Sequence, residues 1–293
     1  MSNRLERARR TVGDDLGSSD GVVVPTSLGE VLQHLRHSPE MQLWAGGTWW
    51  LQQPVDVRRR HPIIALHAVR ELRRVVRTGH HVEIGSTVPA GRLLGAGKRF
   101  LPAVAVDAVR RVGPPAIRNL ATLGGAVGIA GTTLPVTAAL QLIDTAVELR
   151  RQGNSRWISL GQFRDPSGAI RISPGEMITR LRIPLRTWTH WMIRTWGTPF
   201  PAGQMSLTLV GAASMTKSGI DEFRFALVID GRLLIRLREA ETDLVGRAVP
   251  LTERDRRTVL ATLQENPFFG SDLDDLGRWR AVNGLRDFLL QLT

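Results

Sequence analysis

The chain has 293 residues, 42% of them hydrophobic, enough apolar material for one large domain or two modest ones, which excludes a disordered polypeptide. Its formal charge of +12 is carried almost wholly by arginine, since Lys98 and Lys217 are the only lysines. No cysteine occurs, so disulfides, thiolate metal sites, a cysteine nucleophile and an iron–sulfur cluster ligated by this chain are excluded, and any redox chemistry must be carried by a bound cofactor.

Residues 1–20 mix arginines with Glu6, Asp14 and Asp15 and lack the apolar run of a signal peptide, so they read as a mobile leader on a cytoplasmic protein. The first strand is expected at Val22–Val24. A helix follows, carrying Leu28, Val31, Leu32 and Leu35 at helical spacing, with Ser27 and Glu30 placed to cap each other's backbone N–H groups. A strand at Gln42–Trp44 then runs into the turn Ala45-Gly46-Gly47-Thr48 and a short helix. Strands are expected at Ile63–Leu66, Arg74–Arg77 and His81–Ile84, the last ending in Gly85-Ser86-Thr87, with Pro89 in the first turn of a helix through Leu94.

The pattern over Leu101–Val112 predicts a helix stopped by Gly113-Pro114-Pro115, and Arg118 to Gly125 reads as a second glycine-rich loop. The uncharged stretch Asn119–Ile143 has the length of a membrane span. It is broken by Gly124, Gly125, Gly128, Gly131 and Pro135, so a buried helix over Leu134–Ile143 is expected instead. A strand at Ala146–Arg151, a turn at Gly153-Asn154-Ser155 and a segment Trp157–Phe163 follow, and Pro166–Gly168 opens a boundary. Beyond it Met177–Pro184, His190–Trp196, Leu207–Met215 and Phe223–Ile229 read as strands, the third equally as a helix. Two helices are expected over Glu253–Leu263 and Trp279–Leu290, with Asp272, Asp274 and Asp275 in a solvated loop before the last, giving an α+β C-terminal part.

Two separated glycine turns, each after an apolar or β-like segment, are what a chain uses to bring backbone N–H groups against a diphosphate, because glycine removes the Cβ that blocks close approach. Neither turn matches the dinucleotide fingerprint G-x-G-x-x-G or the P-loop. Taken in order, however, Pro25-Thr26-Ser27-Leu28, Ala45-Gly46-Gly47-Thr48, Ile84-Gly85-Ser86-Thr87, Arg118-Asn119-Leu120-Ala121-Thr122-Leu123-Gly124-Gly125 and Arg182-Ile183-Pro184 resemble the flavin-binding medium subunit of the molybdenum hydroxylases, the xanthine dehydrogenase and carbon monoxide dehydrogenase family. Arg194-Thr195-Trp196-Gly197-Thr198 and Glu241-Thr242-Asp243-Leu244 extend the resemblance through the C-terminal part.

The resemblance implies an α+β protein: a two-subdomain FAD-binding fold of the vanillyl-alcohol-oxidase type over 21–186, divided near 80, then a small α+β flavoprotein domain over 187–293. It implies FAD as cofactor. Leu43, Trp44, Ala45, Gly46, Gly47, Thr48, Trp49 and Trp50 would form one phosphate loop and Thr122, Leu123, Gly124, Gly125 and Ala126 the other, with Val112, Thr132, Ile178 and Thr195 nearer the rest of the cofactor. It further implies an electron-transfer subunit that takes electrons from a two-iron, two-sulfur partner and passes them to NAD or another acceptor, with molybdopterin held in a third subunit.

Four positions depart from the family pattern: Trp49 stands where Asp is usual, Ala126 where Asn is usual, Thr132 where an acidic residue is usual and Thr195 where Lys is usual. Each lost hydrogen bond to a sugar or ribityl hydroxyl would cost about 1–3 kcal/mol of binding, so a flavin-free structural or assembly subunit is the second reading. Trp49 and Trp50 suit either stacking on a ring or seating the following helix. The arginine runs Arg58–Arg60, Arg70–Arg77 and Arg254–Arg257 could mark a nucleic-acid binder, the third reading, but they are scattered and lack interleaved aromatics. His34, His37, His80 and His81 have no ligand set around them that would hold zinc, and no nucleophile elbow occurs.

Overall fold

The computed structural model describes residues 21–54, 62–197 and 206–293; the expected leader, the Arg58–Arg60 run and Thr198 lie outside them. Within the described residues the chain builds three sheets in succession. The first is parallel, in the order β1-β3-β2, from β1 (Val22–Val23), β2 (Gln42–Trp44) and β3 (Ile63–Ala65). Helix α1 (Leu28–His37) covers it, burying Val31 and Leu35 against Ile64, Leu66, Val69, Leu72 and Met177. Ser27 Oγ accepts the Glu30 N–H as expected. The return bond closes one residue earlier, on the Thr26 N–H at 2.8 Å, and this bond holds the Glu30 carboxyl below its ordinary pKa.

The second sheet is antiparallel, in the order β4-β5-β8-β6-β7, from β4 (Val75–Arg77), β5 (His81–Gly85), β6 (Ala146–Arg151), β7 (Asn154–Ser159) and β8 (Met177–Pro184). Alternation turns Val82, Ile84, Val147, Leu149, Leu181 and Ile183 toward the main core and leaves His81, Glu83, Glu148, Arg150, Arg180 and Arg182 to the other face. The Pro166–Gly168 turn does not end this sheet: the chain passes it and enters β8, which lies between β5 and β6.

Between β5 and β6 come α2 (Ala90–Ala96), α3 (Ala103–Arg110), α4 (Pro115–Arg118), α5 (Leu123–Gly128) and α6 (Pro135–Leu142), and α7 (Leu160–Phe163) follows β7. Three expectations are corrected here. Pro89 precedes α2 as its N-cap instead of lying in its first turn. Pro115 does more than stop a helix; it opens α4 at the position where a missing N–H is harmless. The expected loop from Arg118 to Gly125 is the end of α4 joined to the start of α5, with Gly124 and Gly125 inside the first helical turn. The uncharged run is therefore divided between α5 and α6, and no described helix is long and apolar enough to cross a membrane.

The third sheet is antiparallel, in the order β12-β11-β10-β9, from β9 (His190–Trp196), β10 (Leu207–Thr216), β11 (Gly219–Ile229) and β12 (Leu233–Arg236). Leu207–Met215 is thus strand, and β11 begins at Gly219 instead of Phe223. One face gives Val210, Ala212, Ala226 and Val228 to the main core, where α3 and α6 lie between the second and third sheets. The other face gives Leu209, Ala213, Phe223 and Phe225 to a second core closed by α8 (Arg238–Leu244), α9 (Glu253–Gln264), α10 (Pro267–Ser271) and α11 (Asp275–Leu290). The acidic segment before α11 is exposed as expected, but it also starts the helix: Asp274 is its N-cap, accepting the Gly277 N–H at 2.6 Å, so α11 begins at Asp275 and not at Trp279. The architecture is α+β throughout.

Candidate functional site

The first glycine turn leaves the end of β2. Gly47 has a φ of +69°, which a β-carbon would strain, and the Trp44 indole lies over its α-carbon. Leu51 N–H donates to the Gly47 carbonyl at 2.9 Å and the Gln52 side chain donates to the Thr48 carbonyl at 2.9 Å, which closes the turn into the short 3₁₀ segment Trp50–Gln52. Trp49 and Trp50 are both half-buried.

The second turn begins at Thr122, whose Oγ1 accepts the Gly125 N–H at 3.0 Å and caps α5. The remaining N–H groups of a helix's first turn have no intrahelical acceptor and suit an anion. Gly125 is exposed, while Leu123 and Ala126 turn their side chains into the main core. Gly124 lies so close to Ser86 that a Cβ would stand 2.5 Å from the Ser86 carbonyl oxygen, and Ser86 Oγ is buried with no hydrogen-bond partner among the described residues.

The two turns meet. A Cβ on Gly46 would stand 1.9 Å from the Leu120 carbonyl oxygen, so the first turn rests directly on the strap that leads into α5. The strap is held from the other side by the Ala90 N–H, which donates to the Ala121 carbonyl at 2.8 Å, and by the bridge between Pro89 and Thr122.

Arg164, which the sequence did not single out, fixes the far end of α5. Its side chain is fully buried and donates to the carbonyls of Val127 at 2.8 Å, Ile129 at 2.7 Å, Thr132 at 2.6 Å and Gly168 at 3.1 Å. Burial pulls its pKa down to about 10. An arginine between Phe163 and Asp165 reads as a surface residue, and only the tertiary arrangement of four carbonyls around it makes it internal.

The remaining predicted positions divide. Ile178 reaches α5, its Cδ1 lying 3.5 Å from where a Gly128 Cβ would stand. Thr132 belongs to the loop after α5 and lends its carbonyl to Arg164. Val112 packs on the main core at the end of α3, and Thr195 sits on β9 facing Thr208, their hydroxyl oxygens 3.2 Å apart. Ala126 is 7% exposed and its carbonyl accepts the Thr137 hydroxyl, so position 126 contributes packing and not a side-chain hydrogen bond.

The donor set fits a diphosphate-bearing cofactor. It combines main-chain N–H groups of a left-handed turn and of a helix start with the orphaned Ser86 hydroxyl behind Gly124.

Residues 17–186 match the family described as FAD binding domain in molybdopterin dehydrogenase. The chain belongs to that family. It is 24% identical over 276 residues to the xanthine dehydrogenase FAD-binding subunit of Escherichia coli O157:H7, with 90% of each covered, and 28% identical over 174 residues to aldehyde oxidase 2 of Cavia porcellus, covering 55% of this chain and 13% of that protein. Its fold is similar to a chain of quinoline 2-oxidoreductase from Pseudomonas putida 86, with a TM-score of 0.76, 21% identity and 93% and 96% of the two chains covered. It is also similar to a chain of reconstituted CO dehydrogenase from Oligotropha carboxidovorans, with a TM-score of 0.72, 18% identity and 94% and 96% covered.

Proposed function

We propose that this chain is the FAD-binding electron-transfer subunit of a molybdenum hydroxylase complex. The observation that carries the reading is the seating of Gly46 on the Leu120 carbonyl, which brings the two glycine turns into one cradle. In this reading residues 43–50 and 122–126 hold the diphosphate through main-chain N–H groups, with Thr48 and Thr122 beside them. Ile178 and Thr132 lie toward the rest of the cofactor. FAD, when bound, supplies the redox chemistry that a cysteine-free chain lacks, and the protein orients it and sets its surroundings. A two-iron, two-sulfur subunit is the electron donor, a molybdopterin subunit acts on the substrate, and NAD or another acceptor takes the electrons. Residues 21–186 form the cofactor-binding region and 187–293 the C-terminal domain.

The test is calorimetric titration of the purified chain with FAD and, separately, with riboflavin, which lacks the diphosphate and the adenosine. FAD binding at least tenfold tighter than riboflavin supports the role of the turns. Equal affinity, or no binding of either, contradicts it.

A further inference from the structure

The second sheet has a face that the proposed flavin cradle does not use. A groove of about 720 Å³ opens there, roofed by Leu28 and Leu32 of α1 and floored by β4, β5, β8 and β6. Its volume is that of a small-molecule site. None of residues 43–50 or 122–126 lines it.

The floor is a fixed ion network. Arg180 donates to both Glu148 oxygens at 2.7 Å and to Glu83 at 2.6 Å, Arg182 donates to Glu83 at 2.6 Å, and Thr179 Oγ1 donates to Glu148 at 2.5 Å. Two carboxylates are thereby matched by two guanidinium groups and leave no net charge. Glu71, on the wall, is engaged by the Leu28 N–H at 3.1 Å. The cations around the mouth are less committed. Among the described residues the Arg74 side chain has no hydrogen bond or ion pair and Arg150 meets only Glu148, at 3.7 Å, while Arg151, near a Glu176 that Arg156 already pairs, follows on the exposed hairpin with Asn154 and Ser155. Three arginines against one carboxylate give the groove a positive mouth over a rigid neutral floor, and Leu28, Leu32 and Val76 supply an apolar wall.

We propose that this groove binds a small organic phosphate ester carrying two or more negative charges, its phosphates held by Arg74, Arg150 and Arg151 and its organic part lying against the apolar wall. Guanidinium groups meet phosphate through paired N–H donors, and the network beneath keeps the strands that present them in place. The site is separate from the proposed flavin cradle and does not depend on that reading.

Calorimetric titration of the full chain with inorganic pyrophosphate in 0.15 M salt tests this, using the double variant Arg74→Ala/Arg150→Ala and, to block the glycine turn, Gly125→Asp. Circular dichroism checks that each variant is folded. The expected result is one equivalent of pyrophosphate binding that weakens at least tenfold in the arginine double variant and is retained in Gly125→Asp. Binding that is unchanged in the double variant, lost only in Gly125→Asp or absent from the wild type overturns the proposal. So does preferential binding of a hexaglutamate peptide, which would make the groove a protein-docking surface.

Discussion

Gly46 has no room for a side chain because the carbonyl oxygen of Leu120 stands 1.9 Å from where its Cβ would be. The two residues are far apart in sequence, and their contact brings the two glycine turns together. Gly46→Ala must push the turns apart. Overpacking of this kind costs about 1–3 kcal/mol, so urea denaturation should show a loss in that range together with weakened FAD binding. Unchanged stability and unchanged FAD affinity would mean that the contact does not organise the site.

Thr122 tests the start of α5. Removing an N-cap hydroxyl costs about 0.5–2 kcal/mol, so Thr122→Ala should lower the denaturation midpoint and Thr122→Ser, which keeps the acceptor for the Gly125 N–H, should restore it. Equal midpoints for the two variants would show that the cap is idle.

Much of this arrangement was legible before the structure, and the exceptions have physical causes. The strands expected at His81–Ile84, Ala146–Arg151 and Met177–Pro184 form as β5, β6 and β8, and the Ser27–Glu30 pair announced α1. The helix α5 was read as a loop because Leu-Gly-Gly-Ala-Val-Gly has poor helix propensity. It forms because Thr122 caps it, Ser86 leaves space only for glycine at 124 and Arg164 binds its last carbonyls. The strand β12 is only four residues long and takes its register from β11, and α8 is a short charged segment with only Ala240 and Leu244 buried, too few apolar positions to stand out in the sequence. At the site, the glycine motifs were visible as types and spacings. The parts played by Leu120 and Ser86 within those motifs, and Arg164 altogether, were not, since they depend on which backbone atoms lie across from them.

Arg164 should be the most sensitive single position outside the turns. Arg164→Met leaves the Val127, Ile129 and Thr132 carbonyls without their donor. At about 1–3 kcal/mol for each buried polar group left unpaired, the expected loss is at least about 2 kcal/mol, partly recovered in Arg164→Lys. A denaturation curve for Arg164→Met that superimposes on the wild type would rule out this anchoring role.

The charged face of the second sheet predicts an acid-dependent stability. Burial raises the Glu148 pKa, but hydrogen bonds from Arg180 and Thr179 and the nearby charges of Arg180 and Arg150 outweigh it and hold the carboxyl below its ordinary value. Glu83 behaves alike, burial being outweighed by Arg182, Arg180 and His81. A carboxyl depressed in the folded state stabilises it above the unfolded pKa, and that contribution disappears as pH falls through the folded pKa. Glu148→Gln should therefore be less stable than the wild type at neutral pH and converge with it in acid. A gap that stays constant from neutral to strongly acid pH would contradict this.

The most direct test of the central claim is the amount of flavin the purified chain retains after incubation with FAD and removal of the excess, read from its visible absorption and from the cofactor released on denaturation. The account predicts close to one FAD per chain, with Gly46→Ala retaining much less. A chain that stays colourless under all reconstitution conditions would contradict it and leave the family's fold serving as a structural or assembly subunit.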